Sequence, residues 1–413
     1  MRICFLSRRY WPAVSGMSVY AENLLRQLVA MGHDVTMLSQ YRDDDAGRGI
    51  YGGGPPPEVP GVRVIGMRSH GEERASAGQH ADFEGDLRAL YDTVLAEHAR
   101  APFDVIHAQY AYPTGLAAVE AARRLGLPSV VSIQGGDGHW VGLCCQTHAR
   151  AMAEVLARAG RLLIGSKSFA EEVAANHAVP LSRFSIVPGA TDTDAFTPGT
   201  PRSSGPVRLL YHGRIDLRKG LGELIEAAAI LAERGIDYRL RVSGIGPDLE
   251  AVKTLADRKA LGPRCVFTGY VGYREAPEVY RGADIFVSPT YSEGFSNTIL
   301  EAMAARLAIV STETIGVVDC LRHDDNALLV PVQDTEALAK AMARLIAEPA
   351  LATRLADAAL EEVRRCYAWP VVARTIVGHY SQDCPDAAPE GVDLPSFAAA
   401  DPTCRFRTAP HLL

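Results

Sequence analysis

The sequence predicts an α/β protein with two domains, each built on a parallel sheet flanked by helices. Both halves of the chain alternate short apolar runs with amphipathic stretches, which is the pattern of a parallel sheet and its connecting helices. The chain has 413 residues, more than one hydrophobic core usually holds. A stretch rich in proline, glycine and serine at residues 196–206 separates the two halves and is typical of an interdomain linker.

Short apolar runs mark the predicted strands. In the first half they lie at Ile3–Leu6, His33–Leu38, Val62–Ile65, Val105–His107, Ser129–Ile133 and Leu162–Ile164. In the second half they lie at Val207–Tyr211, Tyr238–Ser243, Val266–Gly269, Ile285–Ser288 and Ile309–Ser311. Helices are predicted between them, including one over Ser18–Met31 and a last one from Tyr367 to about Tyr380. Residues 41–60 indicate an exposed loop and residues 383–413 a poorly ordered tail.

Composition narrows the class of protein. The residues are 47% hydrophobic and 22% charged, as in ordinary globular proteins, and the net charge of -7 argues against a general nucleic-acid binder. No run of about 18 apolar residues predicts a membrane-spanning helix. The start, Met1–Ser7, indicates a core strand rather than a signal peptide. We therefore expect a cytoplasmic protein, and a basic helix over residues 148–161 leaves peripheral contact with the inner face of the membrane open.

The most informative segment places two carboxylates, Glu293 and Glu301, around a glycine turn and a helix start. It follows the strand Ile285–Ser288, and ligands of parallel sheets bind at the carboxyl ends of strands, where a following helix offers free N–H groups. Gly294 permits close approach of the backbone, and Ser296 or Asn297 can cap the helix. Eight helical residues rise ~12 Å, which favours two contacts along an extended ligand over the ~5–9.5 Å acid pair of glycosidases. The alternative is two surface glutamates.

A second segment follows the strand Val207–Tyr211 in the same way. Arg214 and Lys219 could place two positive charges against a diphosphate, and Gly213 would keep the backbone close. The alternative for such a cluster is a solvated basic loop.

Together these segments resemble the retaining glycosyltransferases of family 4 type, the glycosyl transferases group 1, which have the GT-B fold. The matching elements are E-x7-E (Glu293 to Glu301), G-R-x4-K-G (Gly213 to Gly220) and F-x-G-x-V (Phe267 to Val271). The resemblance implies that Glu293 holds the donor sugar, that Glu301 holds the ribose, and that the two cations neutralise the leaving diphosphate. It places these residues in the donor site: Gly16, Gly213, Arg214, Lys219, Tyr270, Val271, Glu293, Gly294, Phe295, Ser296, Asn297 and Glu301.

In the first half the resemblance is looser. Gly16 lies in the family's glycine loop, where Ser15 replaces the first glycine of a pair. Gln134 stands where many relatives have a histidine beside the transferred sugar, and an amide can hydrogen-bond a hydroxyl but cannot titrate near neutral pH. The catalytic set implied is therefore Arg214, Lys219, Glu293 and Gln134. His107, Asp137 and His139 are candidates for contact with acceptor or sugar, and each could instead be structural.

The implied architecture is two Rossmann-like domains facing a central cleft. It assigns residues 1–196 to an acceptor-binding domain, 207–366 to a nucleotide-sugar-binding domain, 367–382 to a helix that crosses back onto the first domain, and 383–413 to the tail. The implied reaction is metal-independent transfer of a sugar, with retention, from a nucleotide-sugar to a hydroxyl of a glycan, a lipid-linked acceptor or a small molecule. The nucleotide-sugar is a substrate, with a UDP-sugar as the first expectation, and no cofactor and no nucleic-acid partner are predicted.

Two alternatives stay open at this point. Sugar-nucleotide 2-epimerases share the fold, although the motifs here offer no convincing base for a sugar C2 proton. The replacement at Gln134 also admits a sugar-nucleotide-binding module with weak catalysis. Nucleobase, sugar, acceptor and oligomeric state are not readable from the sequence.

One group of cysteines is a candidate metal site. Cys144, Cys145 and His148 are close in sequence, but a second well-spaced pair of ligands is missing, so a metal is not predicted.

Overall fold

The computed structural model describes residues 1–8, 16–41, 58–69, 83–200 and 204–380, together with Gly391 and Cys404. These residues divide into two compact units. The first contains residues 1–188 and the C-terminal residues from 372, and the second contains residues 189–371. The glycine loop over residues 11–15 and almost all of the predicted loop at 41–60 and of the predicted tail lie outside the described residues.

The first unit is a parallel sheet whose seven described strands have the order β3-β2-β1-β4-β5-β6-β7. The strands are β1 (Arg2–Ser7), β2 (Asp34–Tyr41), β3 (Val62–Arg68), β4 (Val105–Gln109), β5 (Ser129–Ile133), β6 (Arg161–Ile164) and β7 (Phe184–Ile186). The helices are α1 (Gly16–Ala30), α2 (Phe83–Arg100), α3 (Leu116–Leu125), α4 (Gly136–His139), α5 (Gln146–Arg158) and α6 (Lys167–His177), with shorter helical turns at Ala111–Gly115 and Leu181–Arg183.

The central strands of this sheet are buried on both faces. Every residue of β4 and β5 is buried, as is all of β1 after its first residue. A parallel sheet covered by helices on both sides requires such continuous apolar runs, which is why the sequence revealed these strands. β7 was not predicted because it has only three residues. Its exposure also rises along the strand, from a buried Phe184 to an exposed Ile186.

The second unit is also a parallel sheet, and its six described strands have the order β10-β9-β8-β11-β12-β13. The strands are β8 (Val207–His212), β9 (Tyr238–Ser243), β10 (Cys265–Gly269), β11 (Ile285–Ser288), β12 (Ala308–Thr312) and β13 (Leu328–Val330). The helices are α7 (Leu221–Glu233), α8 (Leu249–Arg258), α9 (Ala276–Arg281), α10 (Asn297–Ala304), α11 (Thr335–Ala347) and α12 (Pro349–Glu362), with short turns at Leu217–Lys219, Gly262–Arg264 and Val363–Tyr367.

The core of the second unit has two layers, one on each face of the sheet. Ile285 and Val287 of β11 belong to one layer and Phe286 to the other, as the alternation of side chains along a strand requires. Phe196, at the edge of the predicted linker, is buried in the second layer, and its ring centroid lies 5.4 Å from that of Tyr280. The chain preceding the linker therefore packs with the second unit.

The order of the strands fixes where ligands are expected. In the second unit the chain builds outward from β8 in one direction and from β11 in the other, so the strand order reverses between these neighbours. In the first unit the same reversal lies between β1 and β4. Open parallel sheets bind ligands at such switch points, beside the carboxyl ends of the strands.

The last helix, α13 (Trp369–Tyr380), returns to the first unit. The hydroxyl of Tyr380 lies 2.7 Å from Nδ1 of His107 in β4, and both residues are buried. The prediction of a C-terminal helix that crosses back to the first domain is therefore confirmed, as is the prediction of two Rossmann-like α/β domains. None of the described helices combines the length and the apolar character needed to span a bilayer.

Candidate functional site

The loops after β8 and β11 meet at the switch point of the second sheet. Lys219 ends the helical turn that follows β8, and Glu293 lies in the loop after β11. The ammonium of Lys219 donates a hydrogen bond to Oε1 of Glu293 at 2.7 Å, across 74 positions of sequence. The two side chains are 30% and 17% exposed, so a ligand can still reach both of them.

Arg214 belongs to a charged group on the same loop. Its Nε lies 3.6 Å from a carboxylate oxygen of Asp216, which also accepts a hydrogen bond of 2.6 Å from Arg218. Burial alone would raise the pKa of Asp216, but the hydrogen bonds from Arg218 and the charges of both arginines hold that pKa at about 2. Asp216 is therefore a fixed anion that positions the two arginines.

Glycines allow the backbone around this loop to pack closely. A Cβ on Gly244 would lie 1.8 Å from the carbonyl oxygen of Gly213, and one on Gly246 would lie 2.0 Å from that of Ile215. Gly213 and Gly244 both have φ values near +145°, a region that favours glycine. The turn after β9 therefore supports the backbone on either side of Arg214.

The backbone of Glu293 is held in the same manner. Its N–H donates to the carbonyl of Ile315 at 3.1 Å, and a Cβ on Gly316 would lie 2.2 Å from the Glu293 carbonyl oxygen. On the other side, a Cβ on Gly220 would lie 1.9 Å from the carbonyl oxygen of Pro289. These close approaches fix the relative positions of Glu293 and Lys219.

Glu301 lies one turn inside α10, where it is buried beside Tyr280. The Tyr280 hydroxyl donates a hydrogen bond of 2.6 Å to Oε2 of Glu301. Burial raises the pKa of Glu301 to about 7, and the hydrogen bond from Tyr280 opposes part of that rise. The ring of His212 lies 5.3 Å from the Tyr280 ring, and burial lowers the pKa of His212 to about 4. A neutral histidine and a readily protonated carboxyl group thus share this buried region.

The start of α10 lacks a side-chain cap within the described part of the chain. Ser296 occupies the N-cap position in an extended conformation, but among the described residues no side chain makes the capping hydrogen bond. Its hydroxyl lies instead 3.2 Å from that of Thr298. Because the first N–H groups of a helix have no partner within the helix, an anion placed here would be stabilised by them.

The remaining predicted donor residues have varied surroundings. Phe295 packs within the unit, with its ring 5.7 Å from that of Tyr367, while Gly294 and Asn297 flank the start of α10. Tyr270 and Val271 follow β10 at the carboxyl edge of the sheet, and Tyr270 is 45% exposed, which leaves an aromatic face for a ligand.

In the first unit, three strand ends are joined by one chain of hydrogen bonds. The hydroxyl of Ser7, which ends β1, donates to the amide oxygen of Gln109, which ends β4, at 2.8 Å. The amide nitrogen of Gln109 donates to the amide oxygen of Gln134, after β5, at 2.7 Å, and to the carbonyl of Met17 at 3.0 Å. Gln134 therefore lies next to the switch point, in contact with the end of β4, and Gly16 begins α1 beside Met17.

Asp137 shapes the loop that carries Gln134. Its carboxylate accepts backbone hydrogen bonds of 2.9, 3.1 and 2.9 Å from Ala111, Gln134 and Gly135. Burial raises the pKa of Asp137, and these three bonds oppose the rise. His139 is bound 2.9 Å from Glu172 and packs against Phe169. The contacts favour the structural alternative for both residues.

His107 is a core residue. It is fully buried, with one ring nitrogen 2.7 Å from the Tyr380 hydroxyl and the other 2.8 Å from that of Ser132. Burial lowers its pKa to about 3, so the ring is neutral at physiological pH. Its surroundings also favour the structural alternative.

Comparison with known protein families covers most of both units. Residues 192–362 match the family described as glycosyl transferases group 1, and residues 15–190 match the glycosyl transferase 4-like domain. The chain is a group 1 glycosyltransferase with the GT-B fold. These matches include all of the predicted site residues.

Two relatives align with this glycosyltransferase over about nine-tenths of their length. A D-inositol 3-phosphate glycosyltransferase of Xylanimonas cellulosilytica is 27% identical over 404 residues, which is 89% of this chain and 91% of the relative. A glycogen synthase of Mycobacterium tuberculosis is 26% identical over 400 residues, 90% and 92% of the two chains.

Solved structures show the same fold. The sucrose-phosphate synthase of Thermosynechococcus elongatus has a TM-score of 0.75 at 22% identity, covering 92% of this glycosyltransferase and 98% of that chain. Anabaena HepE, in complex with UDP-glucose, has a TM-score of 0.72 at 17% identity, covering 92% and 99%.

Two residues that contact predicted site residues were not themselves predicted from the sequence. Tyr280 is the partner of Glu301, and Gln109 links the strand ends of the first unit. Gln109 lies two residues beyond the predicted strand Val105–His107, so a position near the sheet edge was an available signal. Tyr280 sits within the short helix α9, where nothing in the sequence distinguishes it from an ordinary core residue.

Proposed function

We propose that this glycosyltransferase moves a hexosyl group, with retention at the anomeric carbon, from a UDP-sugar to an acceptor hydroxyl without a divalent metal. The observation that carries the proposal is the Lys219–Glu293 pair at the switch point of the second unit, with Arg214 on the same loop. A cation and a carboxylate held together there match the two needs of a nucleotide-sugar, a counter-charge for its diphosphate and an acceptor for sugar hydroxyls.

The donor would be bound by three parts of the second unit. Arg214, Lys219 and the uncapped N-terminus of α10 would neutralise the diphosphate. Glu293 would accept hydrogen bonds from the sugar, and Glu301 would bind the ribose. The exposed face of Tyr270 would contact the base. Because Lys219 is paired with Glu293, binding would exchange part of that ion pair for contacts with the donor.

The chemistry would rest on stabilising the leaving group. As the bond between the anomeric carbon and the phosphate oxygen breaks, negative charge grows on the diphosphate, where Arg214 and Lys219 oppose it. The acceptor oxygen bonds to the same face of the anomeric carbon, and the departing phosphate takes the acceptor proton. Gln134 supplies only hydrogen bonds because its amide cannot accept that proton near neutral pH.

The comparisons support a carbohydrate or polyol acceptor. The names of the relatives include D-inositol 3-phosphate glycosyltransferase and glycogen synthase, and HepE was crystallised with UDP and glucose. All of these names fit group transfer to a hydroxyl better than epimerisation.

The first test is a thermal-shift panel of UDP, GDP, ADP and their sugar conjugates. A ligand at 100 times its dissociation constant stabilises by about 2.7 kcal/mol. We expect a selective shift with UDP-sugars that is lost in Lys219→Met. The matched control is Lys253→Met, because Lys253 forms an exposed ion pair with Glu250 on α8 and is not among the residues proposed to bind the donor. Equal shifts in both variants would contradict the assignment of Lys219.

Transfer and its stereochemistry need a second measurement. With an accepted donor and a panel of polyol acceptors, NMR of the product should show the anomeric configuration of the donor, and an inverted product would refute retention. Transfer should persist after chelation. Activity that is lost on chelation and restored by Mg²⁺ or Mn²⁺ would refute the metal-independent mechanism.

A further inference from the structure

Four potential metal ligands converge in the first unit, and none of them is among the residues proposed to bind the donor. They are Cys144, Cys145, His148 and Cys404, and their ligand atoms all lie within 4.8 Å of one another. Nδ1 of His148 is 3.1 Å from Sγ of Cys144 and 3.4 Å from Sγ of Cys404. Cys404 reaches this group from a position 256 residues beyond His148.

The four side chains are buried or partly buried and meet at the start of a helix. His148 is 1% exposed and Cys404 is fully buried, while Cys144 and Cys145 are partly buried. Cys145 is the N-cap of α5, and its sulfur accepts a hydrogen bond of 3.5 Å from the backbone N–H of His148. A helix N-terminus and a backbone N–H donor both stabilise a thiolate, which is the form of cysteine that binds metals.

The spacing agrees with a tetrahedral zinc site. Zn–S bonds of about 2.3 Å and Zn–N bonds of about 2.0 Å place tetrahedral ligand atoms about 3.5–3.8 Å apart. The sulfur–nitrogen distances of 3.1 and 3.4 Å and the outer limit of 4.8 Å bracket that range, so small side-chain adjustments would admit the ion. Three thiolates and one imidazole in a tetrahedral set select zinc over magnesium or calcium, which prefer oxygen ligands.

We propose that these four side chains bind a structural Zn²⁺ ion. Binding deprotonates the thiols, releases their protons to solvent, and forms three Zn–S bonds and one Zn–N bond. The sequence predicted no metal because it offered three nearby ligands, and the fourth becomes apparent only in the fold. The alternative is a disulfide between two of these cysteines. It would leave the third thiol unpaired and would not account for the buried imidazole of His148.

The site would be structural rather than catalytic. Four protein ligands fill a tetrahedral coordination sphere, whereas catalytic zinc keeps a position for water or substrate. The ion would cross-link Cys404 to the start of α5. That start follows the segment from Gln134 to His139, so the same ion would brace the loop that carries Gln134.

Metal content of the untagged full-length chain is the first measurement. Protein expressed with zinc supplementation and purified without chelators should contain about one zinc per chain by mass spectrometry. X-ray absorption should show three sulfur ligands and one nitrogen ligand, at about 2.3 and 2.0 Å. This measurement on the unmodified protein does not depend on whether any variant folds. A metal-free chain with all thiols titratable, or a disulfide among these cysteines found under non-reducing conditions, would overturn the proposal.

Variants then test the individual ligands. Cys404→Ser and His148→Ala should each lose stoichiometric zinc, whereas Cys366→Ser should retain it because Cys366 lies in the second unit, outside the group. The Cys404→Ser variant should also react faster with a thiol reagent at Cys144 and Cys145. Full zinc retention in Cys404→Ser would show that Cys404 is not a ligand and would overturn the site.

Discussion

Replacing Glu301 with glutamine should make the second unit more stable at alkaline pH while weakening nucleotide binding. In the folded protein Glu301 is buried with the Tyr280 hydroxyl, and burial raises its pKa from an ordinary 4.5 to about 7. The native state therefore binds this proton more tightly than the unfolded chain does. The resulting stability is present below pH 4.5 and is lost as pH rises through 7.

The size of the effect follows from the difference in pKa. At 1.36 kcal/mol per unit, ionised Glu301 costs the folded state about 3 kcal/mol at pH 8, compared with about 1 kcal/mol at pH 5. Glutamine cannot ionise, and its amide oxygen can still accept the hydrogen bond from Tyr280. Between pH 5 and pH 8 the wild-type free energy of unfolding should therefore fall by about 2 kcal/mol from this group, and that of Glu301→Gln should not.

Urea unfolding at pH 5 and pH 8, with and without UDP, measures both effects. Glu362→Gln is the matched control because Glu362 is also buried, but it accepts hydrogen bonds of 3.0 and 2.6 Å from Arg322 and should lose stability at both pH values when neutralised. If wild type and Glu301→Gln lose stability in parallel between pH 5 and pH 8, the buried carboxyl group does not carry the cost assigned to it. Undiminished UDP binding in the variant would separately refute its role at the ribose.

Two further predictions concern packing and acid sensitivity. Gly220→Ala should lower stability by more than about 2 kcal/mol in urea unfolding, because its Cβ would lie 1.9 Å from the Pro289 carbonyl oxygen and its φ is +73°. Gly222→Ala, whose Cβ meets nothing within 4 Å, should be neutral or gain about 0.5 kcal/mol, and equal losses would contradict this reasoning. His107 has a pKa lowered to about 3 by burial, so the stability it contributes should be lost as pH falls from 6.5, by about 3 kcal/mol at pH 4.5. His107→Gln should flatten that acid limb of the unfolding profile, and an unchanged slope would show that His107 does not cause it.

Much of the fold could be predicted because its strands are buried on both faces. β5, β9 and β11 have the predicted boundaries, and each is a continuous or alternating apolar run between turn residues. β7 and β13 were missed because each has three residues, too few to show a period. The packing of Phe196 in the second unit could not be predicted either. Proline and glycine content indicates a linker between domains, but it does not show which core the flanking residues join.

The candidate site was predictable where chemistry and sheet topology coincide. Glu293 and Lys219 both follow strands that neighbour each other in the sheet, so the contact between them could be expected from the strand order alone. The Tyr280–Glu301 contact and the position of Cys404 could not, because each joins residues through tertiary packing that no local pattern records. For Asp137 the residue type suggested a ligand contact, while its three backbone hydrogen bonds become visible only once the loop is folded.

The return of α13 to the first unit affects how the protein can be made by a ribosome. In the first unit Tyr380 contacts His107, yet all 183 residues of the second unit, from Gly189 to Val371, are translated before Tyr380. We therefore expect part of the apolar surface of the nascent first half to stay uncovered until α13 has been translated, whereas the second unit is continuous in sequence. The half that begins the polypeptide is thus completed last, and a fragment ending at residue 188 would expose the surface that α13 normally covers.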